Sequence, residues 1–168
     1  RNEKAVVGRV DTLAKIAAMR DAATTRPILV VRGKLGSGRT FTTELIEDRI
    51  EQTQQWFAGL DARDLPAHAR DLALLILERA GVQESDRKEL PVPDDAGTTD
   101  IAWIKVLAQV FRQILSEVAA GRILWIVLEN LDVVDLAQTG ARKFLDVLYE
   151  IAPSTPMIRI VLLGLSGN

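Results

Sequence analysis

Eight consecutive residues, GKLGSGRT at positions 33–40, have the types and spacing of a phosphate-binding loop. Glycines let the backbone curl so that several N–H groups point into one concavity, where they can bind phosphate oxygens. A helix that begins directly after the loop presents the positive end of its dipole to the same phosphates. The stretch therefore predicts a site for a phosphorylated ligand. The residues concerned are Gly33, Lys34, Leu35, Gly36, Ser37, Gly38, Arg39 and Thr40.

Two residues of this stretch determine what it can do. Thr40 offers the hydroxyl group that binds Mg²⁺ in such loops, whereas Arg39 stands where the pattern has a lysine. A guanidinium group keeps the positive charge, but it is a broad planar fork and an ammonium group is compact. We therefore expect Arg39 to displace the phosphates or to swing toward an acid such as Glu129, and nucleotide binding to be weak or absent.

An apolar run farther along the chain, ILWIVLEN at positions 123–130, ends in two polar residues that would complete the site. Glu129 is the candidate acid on the magnesium side, so Thr40 and Glu129 are the candidate metal ligands. Asn130 stands where hydrolases commonly keep a second acid that polarises the attacking water. Because an amide cannot take up a proton, the pattern indicates a degenerate catalytic site.

The elements that position these residues alternate along the chain. Short apolar runs predict strands that start near Ile28, Gln55, Ile123 and Met157. Apolar residues at helical spacing predict helices over 10–22, 40–53, 66–81, 99–121 and 141–152, with Thr99 or Asp100 as the cap of the fourth. The stretch 83–99 is charged and contains proline and glycine residues that interrupt helices and strands, which predicts an exposed, mobile loop. Alternating strands and helices predict an α/β fold with a mainly parallel sheet covered on both faces.

Composition sets further limits. With 168 residues, 48% of them hydrophobic, the chain is expected to form one domain, cut from a longer protein. Its 21 basic and 23 acidic residues give a net charge of -2, which argues against direct nucleic-acid binding. The absence of cysteine excludes disulfides and cysteine-bound metals, and the single His68 disfavours a histidine-based metal site. The apolar runs are too short to span a membrane, so we expect a cytoplasmic protein.

The segment VVGRVDTL at positions 6–13 looks like the GR box that precedes the phosphate loop in STAND NTPases, relatives of the AAA+ and NB-ARC proteins. In that family the box sits against the adenine, so the resemblance implies contacts from Val7, Gly8 and Arg9. It also implies a three-layer P-loop NTPase fold with strand order 1-4-3-2, and ATP and Mg²⁺ as cofactors. The resemblance covers about residues 5–165.

Three departures set this chain apart from the active members. Arg39 replaces the lysine, Asn130 replaces the second acid, and VLLGLSGN lacks the polar residue that ends the fourth strand as a sensor. Together they resemble inactive STAND-like modules of bacterial conflict and signalling proteins. The resemblance implies a pseudoenzyme that serves as a nucleotide-binding switch or as a scaffold for other protein domains or partner proteins of a signalling or defence assembly. It allows a module that works without any cofactor, and it allows an oligomer.

Alternatives remain open. The chain could be a slow Mg-ATPase in which Arg39 holds the phosphates and Glu129 alone organises the metal. Lys34, together with the glycines, also matches the deviant loop of MinD-like and ParA-like ATPases, where the early lysine reaches a partner's nucleotide. The family usually adds a fifth strand beside the first, but this sequence ends soon after the fourth. We therefore expect the strand at 28–31 to lie at a sheet edge, with a helix, the N-terminal segment or a partner covering it.

Overall fold

The computed structural model describes residues 10–20, 26–32, 39–95, 97–131 and 139–165, without the side chains of residues 10, 39, 40 and 165. Within these ranges the strands are β1 (Ile28–Arg32), β2 (Trp56–Asp61), β3 (Leu124–Glu129) and β4 (Ile158–Leu165). The helices are α1 (Val10–Met19), α2 (Arg39–Glu51), α3 (Ala69–Arg79), α4 (Glu84–Arg87), α5 (Ile101–Val118) and α6 (Gly140–Ile151). Short 3-10 turns cover Ala62–Asp64 and Ala152–Ser154.

The four strands form one parallel sheet in the order β1-β4-β3-β2. β2 and β3 pair residue for residue, from Trp56 opposite Leu124 to Asp61 opposite Glu129. All the strands run the same way, so their carboxyl ends share one edge of the sheet, where ligands bind in open α/β folds. The α/β fold and the strand order predicted from the sequence are confirmed.

Helices cover both faces of the sheet. The N-terminal helices α1 and α2 pack on one face, where Trp125 is fully buried, and α3, α5 and α6 form the larger core on the other. In the larger core the rings of Phe111 and Phe144 meet edge to face with centroids 5.6 Å apart. β3 is buried over all of its apolar residues, which explains why its sequence is a continuous apolar run.

The predicted start of α3 and the predicted loop at 83–99 need correction, and α5 is shorter than predicted, at Ile101–Val118. Helix α3 begins at Ala69, three residues after Pro66, because the carbonyl of Ala67 accepts a hydrogen bond from Ala141 N (3.0 Å) and is held outside the helix. The stretch 83–99 is more than an exposed loop. It contains α4 and the buried residue Leu90, and its backbone carbonyl at Pro91 accepts a hydrogen bond from Arg70 Nε (3.1 Å).

Strand β1 lies at the edge of the sheet, as predicted, and pairs with β4 alone among the described strands. Helix α1 contacts it, yet the side chain of Val30 remains 43% exposed. The N-terminal segment 1–9, one of the expected covers, lies outside the described residues. Over the ranges that the structure describes, no helix combines the length and the apolar character needed to cross a bilayer.

Candidate functional site

The predicted phosphate loop joins two described elements. β1 ends at Arg32 and α2 begins at Arg39, so residues 33–38 connect a strand to a helix. A strand before the glycines and a helix after them is the context in which such a loop binds phosphate. The loop itself lies outside the described residues, as do Val7, Gly8 and Arg9 and the side chains of Arg39 and Thr40. The expected pair between Arg39 and Glu129 therefore stays a prediction.

Glu129 lies beside the helix that follows the loop. It is the last residue of β3, and its half-buried carboxylate accepts a hydrogen bond from Thr43 Oγ1 on α2, with 3.3 Å between Oγ1 and Oε2. Thr43 is four residues from the start of α2, so this contact brings the acid close to the N-terminal turns of that helix. The structure thus places the predicted acid at the carboxyl edge of the sheet, near the end of the helix that the loop enters.

Asn130 follows Glu129 and turns the chain away from the sheet. Its backbone has φ of 61°, in the left-handed region that asparagine tolerates better than most residues. Its side-chain Nδ2 donates a hydrogen bond to Asp61 Oδ2 over 3.0 Å. The amide is therefore already engaged with a carboxylate from the neighbouring strand.

Asp61 is a residue of this edge that the sequence analysis did not identify. It ends β2, pairs in register with Glu129, and accepts hydrogen bonds at Oδ1 from Arg63 N and from Arg63 Nε, both 2.9 Å long. The side-chain bond from Arg63 is the main reason why the pKa of Asp61 falls to about 2, against an opposing effect of burial. Asp61 is thus a fixed anion at neutral pH. A polar residue directly after an apolar strand was the available signal.

A pocket of about 370 Å³ opens at the carboxyl edge of the sheet, between α2, α3 and the side of β2 on which no described strand pairs. Arg79 of α3 closes part of that side by donating a hydrogen bond to the carbonyl of Gly59 (3.0 Å). The residues that line the pocket include Thr43, Glu47, Asp61 and Glu129. Within the described ranges, no three acidic or histidine side chains converge as a metal-binding group. The described part of the pocket therefore offers carboxylate and hydroxyl oxygens to a polar ligand.

The three tryptophans are packing residues. Trp125 is fully buried, Trp56 is 8% exposed, and Trp103 is half-buried against the larger core. The guanidinium of Arg122 lies 4.4 Å from the centre of the Trp56 ring, so that face of the indole is covered. All three therefore pack in or against the core.

No family model matches this sequence, and a search of the curated proteins gave no match.

Proposed function

We propose that this chain is a degenerate STAND-like P-loop module, which binds a nucleotide as a switch or scaffold in a bacterial signalling or defence protein and hydrolyses it slowly or not at all. The observation that carries the proposal is the contact between Thr43 and Glu129. It puts an acid from β3 against the helix that directly follows the glycine loop. The parallel sheet with order 1-4-3-2 supplies the framework that such a site requires.

The residues of the candidate site support binding more than catalysis. Glycine-loop N–H groups, Arg39 and the N-terminal end of α2 would hold the phosphates, and Thr40 with Glu129 would hold Mg²⁺. Val7, Gly8 and Arg9 would meet the adenine. Bound Mg²⁺ neutralises phosphate charge.

Hydrolysis lacks a proton acceptor at the usual place. Asn130 cannot accept a proton, and its amide group is engaged with Asp61. Asp61 itself is a poor base, because Arg63 holds its pKa at about 2 and proton transfer works best with a pKa near the working pH. The module would then hold ATP without hydrolysing it, and its ATP-bound state would act as a signal to the protein domains attached to it.

The direct test is a calorimetric titration of the chain with ATP and Mg²⁺. We expect weak binding by the native chain, and binding about tenfold tighter in Arg39→Lys, where a compact ammonium group replaces the guanidinium. Arg49→Lys is the matched control, since Arg49 is exposed in the last turn of the same helix, and it should bind like the native chain. Absence of binding in both the native chain and Arg39→Lys would contradict the proposal.

A slow Mg-ATPase, in which Glu129 alone organises the metal, is the second candidate, and the contact between Glu129 and Thr43 of α2 favours it. A phosphate-release assay on the titrated samples separates the two functions. Steady release by the native chain that disappears in Glu129→Gln would favour the ATPase. Binding without release would favour the switch or scaffold.

A further inference from the structure

We propose that Asp61 supplies, from β2, the second carboxylate that β3 lacks at Asn130, and that it acts toward the Mg²⁺ of a bound nucleotide. This inference rests on the proposed function and assigns to it a residue that the loop pattern does not contain. In this arrangement Asn130 is the hydrogen-bond partner of the acid rather than a lost acid. Asp61 is a positioning residue, which acts by its charge and through Asn130.

The register of the sheet brings the two acids to the same place. Asp61 lies directly opposite Glu129 in the parallel pairing of β2 and β3, so the two acids come from adjacent strands at the edge where the candidate site lies. Both line the same pocket. The side chain of Asp61 is 17% exposed, and Arg63 binds both of its oxygens, so its position is fixed before any ligand arrives.

The bond between Asn130 and Asp61 explains why position 130 carries an amide. At 3.0 Å, an amide N–H can donate to a carboxylate, whereas two ionised carboxylates at that distance repel each other. With Asp61 in place, position 130 therefore accepts asparagine and disfavours aspartate. Exchanging the two residues would keep both the hydrogen bond and the single negative charge while moving the carboxylate from one strand to the other.

A mutant cycle tests the pairing without any ligand. At neutral pH we expect Asn130→Asp to lower the melting temperature by about 5 °C, because it sets two carboxylates against each other. The exchange variant, Asp61→Asn with Asn130→Asp, removes that repulsion but also the ion pair between Asp61 and Arg63, so it should melt about 2 to 3 °C below the native chain and above Asn130→Asp alone. An Asn130→Asp variant as stable as the native chain, or an exchange variant no more stable than Asn130→Asp alone, would overturn the pairing.

Calorimetric titration with ATP and Mg²⁺ tests the role toward the metal. Asp61→Asn should weaken Mg²⁺-dependent binding about tenfold, as changes beside metal ligands commonly do, and the exchange variant should recover most of the loss. Asp94→Asn is the control, because it removes the same charge from an exposed residue of the 83–99 segment. Unchanged affinity in Asp61→Asn, with a loss in Glu129→Gln, would overturn the role of Asp61 alone. No binding by the native chain or by Arg39→Lys would overturn the proposed function and, with it, this role.

Discussion

Asp61 and Glu129 face each other as the last paired residues of β2 and β3. The polar end of the sheet is therefore built from two strands, each of which contributes one carboxylate. Arg63 fixes the first acid and Thr43 contacts the second, while Asn130 links the two strand ends through its bond to Asp61. A carboxylate at each strand end gives this edge two acids even though position 130 carries an amide.

The pKa of Asp61 predicts an acid-dependent contribution to stability. Its value of about 2 in the folded chain lies below the usual value of 3.8 for an aspartate, so the contribution is present above about pH 4 and is lost as the pH falls through about 2. Urea denaturation should find Asp61→Asn less stable by about 1 kcal/mol at pH 6, a value reduced by solvent screening, and the difference should shrink toward pH 2. A difference that stays constant over this range would contradict the assignment.

Arg159 of β4 should be essential for stability. It is 1% exposed, and its guanidinium donates hydrogen bonds to the carbonyls of Met19 (2.7 Å), Pro156 (2.8 Å) and Ile158 (2.8 Å). Arg159→Met removes these charge-assisted donors from buried acceptors, so we expect a loss of about 3 kcal/mol in urea denaturation. Arg112→Met, at an exposed position of α5, is the control and should change stability by less than about 0.5 kcal/mol. Equal stability of the two variants would refute the anchoring role.

The cap of α5 can be tested with neighbouring residues. Asp100 Oδ1 accepts a hydrogen bond from Ala102 N (3.0 Å), which identifies Asp100 rather than Thr99 as the capping residue. Asp100→Ala should therefore lower the unfolding free energy by about 1 kcal/mol, and Thr99→Ala by only a few tenths. Thermal denaturation of the two variants decides the matter, and the opposite order of stability would assign the cap to Thr99.

Leu90 tests whether the 83–99 segment is part of the core. Leu90 is 1% exposed, whereas Val92, two residues later, is 73% exposed. Truncation of a buried leucine leaves a cavity, so Leu90→Ala should cost about 3 kcal/mol in urea denaturation. Val92→Ala should cost less than about 0.5 kcal/mol. A small effect at Leu90 would mean that the segment behaves in solution as the exposed loop that its charges suggest.

The strands were predictable because buried parallel strands are continuous apolar runs, and their order was implied by the resemblance to STAND NTPases. The position of Glu129 followed from the end of such a run. The start of α3 was not predictable, because the hydrogen bond that holds Ala67 outside the helix comes from Ala141, far along the chain. The burial of Leu90 was hidden by the charged residues around it.

The bond between Asn130 and Asp61 was hidden for a similar reason. The two residues are 69 positions apart, and they meet only because β2 and β3 pair in one particular register. Nothing in the local sequence of either strand specifies that register. Asp61 could have been suspected only as a polar residue at a strand end, which is a weak signal by itself.

Phosphate release by the native chain, followed with saturating ATP and Mg²⁺, tests the central claim most directly. The account predicts ATP binding without release above the level of Glu129→Gln, because Asn130 cannot accept a proton and Asp61 is too weak a base. Turnover on the order of 1 per second, within the usual range of enzymes, and its loss in Glu129→Gln would contradict the account and establish the chain as an ATPase.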